Sequence, residues 1–242
     1  MTGIDSTGGS LMDAYRILVL VHAGFGTLAM LSYWNAAFSR KGSPWHKLAG
    51  RIYVKSMLGI IATALPIAAV AFARGKTGQG IFLSYLVVIT ATALWLGWRA
   101  IRRKTDQAGF RDRSYLVVAL LNLTGALLVF LIGRHTGNAV LIGFAAISAY
   151  GGTTMLRRYR HPLDSPRWWL REHFAAMLAC GVATHIAFLS IGLNRLLQSA
   201  GIQPSESLDW LSWFAPVLVA LLAGVYFNRK YFPHKPAAAR AE

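Results

Sequence analysis

The amino-acid sequence predicts an all-α membrane protein: a seven-transmembrane-helix bundle, N-terminus outside, C-terminus cytoplasmic. Three observations carry this. The chain of 242 residues is 55% hydrophobic and 14% charged, with a mean hydropathy of +0.44. A soluble domain carries about 25% charged residues, so lipid solvates much of this surface. Seven stretches of 18 residues or more lack Asp, Glu, Lys and Arg: 17–39, 56–73, 77–98, 114–133, 135–156, 174–194 and 210–228. Each meets the roughly 17–25 apolar residues that a bilayer-spanning helix needs. The third observation is where the charge falls. Of 25 Lys and Arg, 20 lie in alternate connections: 40–55, 99–113, 157–171 and 229–240. The positive-inside rule puts these in the cytoplasm. Seven spans require termini on opposite sides, which agrees. The formal net charge of +16 is therefore assigned to topology and contact with anionic lipid, not to nucleic acid.

The elements follow in order. Residues 1–14 read as a polar periplasmic terminus without a basic signal-peptide n-region. The first span covers Tyr15 to Phe38. Ser43-Pro44 is an N-cap and first-turn pair that starts the second span near Trp45. Pro66 is expected to kink that span. The third span covers Gly80–Ile101, and a basic loop, 102–113, follows. The fourth covers Ser114–Ile132, with a short turn to Asn138. The fifth covers Ala139–Leu156. Ser165-Pro166 is read as the start of the sixth, which runs to Asn194. An outer loop, 195–209, precedes the seventh span, which carries Pro216. The membrane domain is thus 15–228, with a basic cytoplasmic tail at 229–242. Tyr and Trp near the span ends form the expected aromatic belt. The localisation implied is multi-pass, in a bacterial inner (plasma) membrane.

The chemistry is narrowed by what the spans lack. None of the nine acidic residues falls in mid-span, where ion-coupled transport usually places a carboxylate. HExxH and His-x-x-x-His are absent, which disfavours a metal-dependent hydrolase. Cys180 is the single cysteine, so neither an intramolecular disulfide nor a multi-thiolate metal site can form. No metal ligands are assigned.

Histidine remains. His22 in the first span and His185 in the sixth are each seven residues from an outer end, which predicts an outer pair at one depth. His46 and His173 form an inner pair at the cytoplasmic side. His22 shares its helix face with Gly26 and Ala29, and His185 with Gly181 and Gly192. Small residues permit close approach of a helix or of a flat macrocycle. Two facing imidazoles are an axial set for haem b, and Arg51 and Arg171 could pair with its propionates. His173 and His185 are twelve residues apart, about 18 Å along a helix, and about 120° apart around it, which weakens a strict two-haem column. Glu172 beside them reads as a charge favoured by the helix N-terminus. The expected function is transmembrane electron transfer, with a quinone or a redox protein as partner. The alternative is a non-redox small-solute transporter, sensor or membrane assembly factor. Its histidines would bond neighbouring helices through hydroxyls or backbone carbonyls.

Two stretches carry a family resemblance. The first is His22-Ala-Gly-Phe-Gly with Lys41-Gly-Ser-Pro-Trp-His46-Lys-Leu-Ala-Gly50-Arg51-Ile-Tyr53. The second is Arg171-Glu172-His173-Phe-Ala-Ala-Met177 with Ala183-Thr184-His185. Together they resemble an uncharacterised bacterial family of polytopic membrane proteins. The resemblance implies a membrane fold and brings no activity, substrate or cofactor. The placement of the histidines is distantly similar to that of b-type cytochromes.

Overall fold

The computed structural model describes residues 5–203 and 205–232, and every regular element among them is helical. The helices are α1 (Asp5–Phe38), α2 (Pro44–Ala73), α3 (Thr77–Arg102), α4 (Gln107–Phe110), α5 (Arg113–Thr136), α6 (Ala139–Arg160), α7 (Trp168–Ile186), α8 (Asn194–Ser199) and α9 (Glu206–Tyr231). A π-helical segment, Ala187–Leu193, joins α7 to α8 without a break. Seven stretches are long and apolar enough to cross a membrane, and they match the seven expected spans. The chain is a multi-pass membrane protein in this sense.

Several boundaries differ from expectation, each for a local reason. The predicted polar N-terminus is helical from Asp5, and Asp13 and Arg16 pair at 3.7 Å on its surface. Ser43 behaves as predicted: its hydroxyl accepts from the His46 amide and Pro44 opens α2. Ser165 does not cap in that way. It closes a turn by accepting from Trp168 through its carbonyl and from Arg167 through its hydroxyl, so α7 starts at Trp168. The predicted outer loop begins as helix. α8 continues to Ser199 before Gly201, at φ +78°, ends it in a conformation that glycine adopts at low cost. Ser205 then caps α9, accepting from Leu208. Pro66 and Pro216 both lie inside helices that run on past them. Arg229 and Lys230, expected in the tail, form the last turn of α9. The rest of that tail, with Lys235 and Arg240, lies outside the described residues.

α3 and α7 pack together at the centre. α2 lies against α3, α1 against α2, and α9 against α7, while α5 and α6 form a hairpin joined to the bundle chiefly through α3. Three buried clusters mark these contacts. Tyr85, Val129, Phe144 and Ile186 gather α3, α5, α6 and α7. Phe110, Tyr115, Met155 and Trp168 fill the end that carries most of the Lys and Arg, called here the basic end. Tyr53, Met57, Leu94 and Cys180 join α2, α3 and α7 to Ala29 of α1.

A polar knot ties the hairpin on. The Asn122 amide donates to the Thr92 hydroxyl on α3 at 2.8 Å, and Ser148 on α6 donates to Asn122. Hydrogen bonds between membrane helices contribute about 0.6 kcal/mol on average and up to about 1.7. Asn122→Ala is expected to cost about 1 kcal/mol or slightly more, read from unfolding in detergent. Thr124→Ala, whose hydroxyl is exposed and bonded within its own helix, is the control. Equal costs in the two variants would deny the knot its role.

The basic end is held by arginines that reach backbone carbonyls. Arg99 donates to the carbonyls of Phe110 and Gly109 and pairs with Asp112 at 2.6 Å. Arg111 donates to the carbonyls of Arg158 and Tyr159 at the end of α6. Asp106 accepts from the Gly109 amide and from Arg103, and both bonds hold its carboxyl below the usual carboxylate range.

Candidate functional site

The structure separates the four predicted histidines by what their rings do. The Nδ1 atoms of His46, His173 and His185 face the backbone carbonyls of Ala36, Gly97 and Gly181 at 3.0, 3.0 and 2.7 Å. A carbonyl oxygen only accepts, so Nδ1 carries the proton in each. His22 reaches the same state by another route. Its Nδ1 lies 2.8 Å from the Thr63 hydroxyl, which gives its one proton to the Gly59 carbonyl at 2.7 Å. The hydroxyl therefore accepts from His22. In the neutral form all four rings keep the Nε2 lone pair. That is the tautomer of a metal-ligating histidine, whose other N–H is fixed by a carbonyl or carboxylate.

Three of these bonds also bridge helices: His22 joins α1 to α2, His46 joins α2 to α1, and His173 joins α7 to α3. Among the described residues, His185 bridges no helices by hydrogen bonding. It donates to Gly181 one turn earlier in its own helix, and its Nε2 is buried without a partner among the described residues. An unmet polar atom at such a depth costs about 1–3 kcal/mol.

The surroundings of His185 are aromatic. Tyr33 and Trp34 of α1 meet its ring edge-on, with centroids 5.5 and 5.3 Å away. Tyr33 also packs on Tyr53 at 5.5 Å, and Tyr53 bonds the Thr184 hydroxyl at 3.1 Å. Thr184 passes its proton to the Cys180 carbonyl, so Tyr53 is the donor. Gly181 makes room for Tyr33, because a methyl there would overlap the Tyr33 ring and hydroxyl.

The expected outer pair does not form as a facing set. His185 meets α1 at Tyr33 and Trp34, and His22 lies eleven residues earlier, about 16 Å along the helix. The equal-depth expectation counted from span ends. α7 runs on through the π-helical segment and α8 to Ser199, so His185 sits further from the end than the count assumed. His46 and His173 lie within electrostatic reach of each other and of Lys41 at the basic end. Arg51 is exposed on α2, and Arg171 is half-buried two residues before His173.

Tyr33, Trp34 and the Arg158–Glu172 pair were not singled out from the sequence as parts of a site. Glu172 is more than a helix-start charge. It pairs with Arg158 of α6 at 3.3 Å, with both side chains largely buried. An intramembrane charge calls for such a partner, but no spacing rule names the partner on another helix. Among the described residues, no group of three or more His, Cys, Asp or Glu could hold a metal ion.

No family model, curated protein or solved structure matches the chain. The resemblance noted above rests on its motifs alone.

Proposed function

We propose that this chain is a haem-b-binding electron-transfer protein of a bacterial inner membrane, with its N-terminus outside and its basic end in the cytoplasm. One observation carries the proposal: His185 has its N–H fixed on Gly181 and its Nε2 lone pair buried and unmet. That atom suits an axial iron ligand. His185 is therefore the first ligand assigned. His46 and His173, within electrostatic reach of each other at the basic end, are candidates for a second haem or for a proton or quinone site, with Arg51 and Arg171 available to carboxylates. His22 has the right tautomer but bonds Thr63, about 16 Å along α1 from the residues that meet His185. A bound haem would supply one-electron chemistry. The chain's own residues would orient the imidazole through Gly181 and exclude water through Tyr33, Trp34 and Tyr53. A quinone or a redox protein is the proposed partner.

A second reading has its own observation. The helix-bridging bonds of His22, His46 and His173 suit structural histidines in a non-redox transporter, sensor or assembly factor. The two readings give different results in one experiment. The protein is purified in detergent after expression with added haem precursor, and spectra are taken oxidised and dithionite-reduced. The haem proposal expects sharp reduced α and Soret bands, lost in His185→Ala while helical content and thermal stability hold. A colourless, fully helical wild type, or a band indifferent to His185→Ala, would overturn it. The structural reading expects His22→Ala to lower stability in either case.

A further inference from the structure

The charges of the basic end are unevenly shared. Asp106, Asp112 and Glu172 pair with Arg103, Arg99 and Arg158 on the side built by α3 to α7. The other side is formed by residues 39–55 and 228–231. It carries Arg40, Lys41, Lys47, Arg51, Lys55, Arg229 and Lys230 and has no Asp or Glu. Two of these cations are held close. Lys41 folds back onto the end of α1, donating to the Ala36 and Ala37 carbonyls. Lys230 lies over the Tyr226 and Tyr231 rings, 5.4 and 5.7 Å from their centroids. Phe174 meets Phe227 and Phe232, which brings the end of α9 to the start of α7. The crowding is felt at Lys41, whose ammonium pKa is lowered by desolvation and by the charge of Lys230. An ammonium has three donors, and two of those on Lys41 are used, so one remains for an outside acceptor.

Directly beside this cationic corner is a recess of about 400 Å³ on α1, lined by Leu31, Trp34, Asn35, Phe38 and Ser39. It runs eight residues along the helix, about 12 Å from the interface toward the bilayer centre. It is shallow and open, with an apolar stretch at Leu31, Trp34 and Phe38 and polar Asn35 and Ser39 toward the basic end; Phe38 is 82% exposed and Leu31 65%. Exposed Trp45, at the start of α2, stands at the same level of the chain as an interfacial aromatic.

We propose that this corner is a binding site for one anionic phospholipid, with its phosphate between Lys41 and Lys230 and an acyl chain in the Leu31–Ser39 recess. Charge complementarity selects the headgroup, because Lys41 keeps a free donor beside the charge of Lys230 on a face that carries no Asp or Glu among the described residues. The recess selects a lipid over a free anion. Each juxtamembrane cation adds about 1 kcal/mol of attraction to anionic lipid.

The test is native mass spectrometry of the detergent-solubilised full chain, titrated with phosphatidylglycerol or phosphatidylcholine. The wild type is expected to retain one phosphatidylglycerol in preference to phosphatidylcholine. Lys41→Gln and Lys230→Gln should each weaken retention about five-fold, and Arg134→Gln at the opposite end should not. Filling the recess with Ser39→Trp should lower retention of phosphatidylglycerol. Equal retention of the two lipids by the wild type would overturn the site without reference to any variant. So would displacement of phosphatidylglycerol by millimolar inorganic phosphate, or lysine variants that are well folded by circular dichroism and bind as the wild type does.

Discussion

Replacing Arg99 by alanine is expected to lower stability by about 2–3 kcal/mol, among the largest effects of any single change at the basic end. One guanidinium there meets three acceptors: the Phe110 and Gly109 carbonyls and the Asp112 carboxylate. Its body also lies over the Trp95 ring, 4.7 Å from the centroid. Removing a partner from a fully buried pair costs about 3–5 kcal/mol. Asp112 is 45% exposed while Arg99 is 12%, so water recovers part of that and the lower figure follows. Lysine should restore little, because a single ammonium cannot reproduce the fork that spans carboxylate and carbonyls. Thermal unfolding in detergent gives the size of the effect. Amide exchange over 107–112 should rise first, since that loop loses its anchor. Asp112→Ala in the Arg99→Ala background should then cost less than it does alone, as expected of residues in one network. A fully additive pair would show that the contact carries no coupling.

The second large effect is expected at Gly181. Leucine there should cost about 2–3 kcal/mol through overpacking. It should also abolish any spectrum that depends on His185. Gly181 serves the candidate site twice: its carbonyl holds the His185 N–H, and its missing side chain admits Tyr33. Tyr33 has little room to retreat, since it packs against Trp34, Tyr53 and the His185 ring. Alanine should fall between, because its one methyl is smaller and gains about 1 kcal/mol of helix propensity over glycine. A leucine variant with wild-type stability would show that α1 and α7 are not in contact as described.

Much of the architecture was legible from the chain. Charge-free runs separated by alternating basic connections need no tertiary information, because lipid acts on each span separately and the backbone must satisfy itself within it. Ser43 as a cap is likewise local, as is the short turn before α6, where Gly137 at φ +66° ends α5 and Asn138 accepts from Leu141, two roles not read from the sequence. Local signals misled where the competing force came from elsewhere. Ser165-Pro166 has the same spelling as Ser43-Pro44, yet Ser165 is used to close a turn. The count of residues from span ends put His22 and His185 level, but the length of the continuous α7–α8 stretch sets the true depth.

The sequence by itself determined the fold class, the number of spans, the basic end and the four histidines as the chemistry within reach. The tertiary structure decided which of those histidines differs from the rest. Three spend their N–H on another helix, and His185 spends its own on Gly181 and keeps a buried, unmet Nε2 beside Tyr33 and Trp34. Hydrogen-bond partners across helices depend on rotation and depth, which crossing contacts set, whereas hydropathy and charge act residue by residue along the chain.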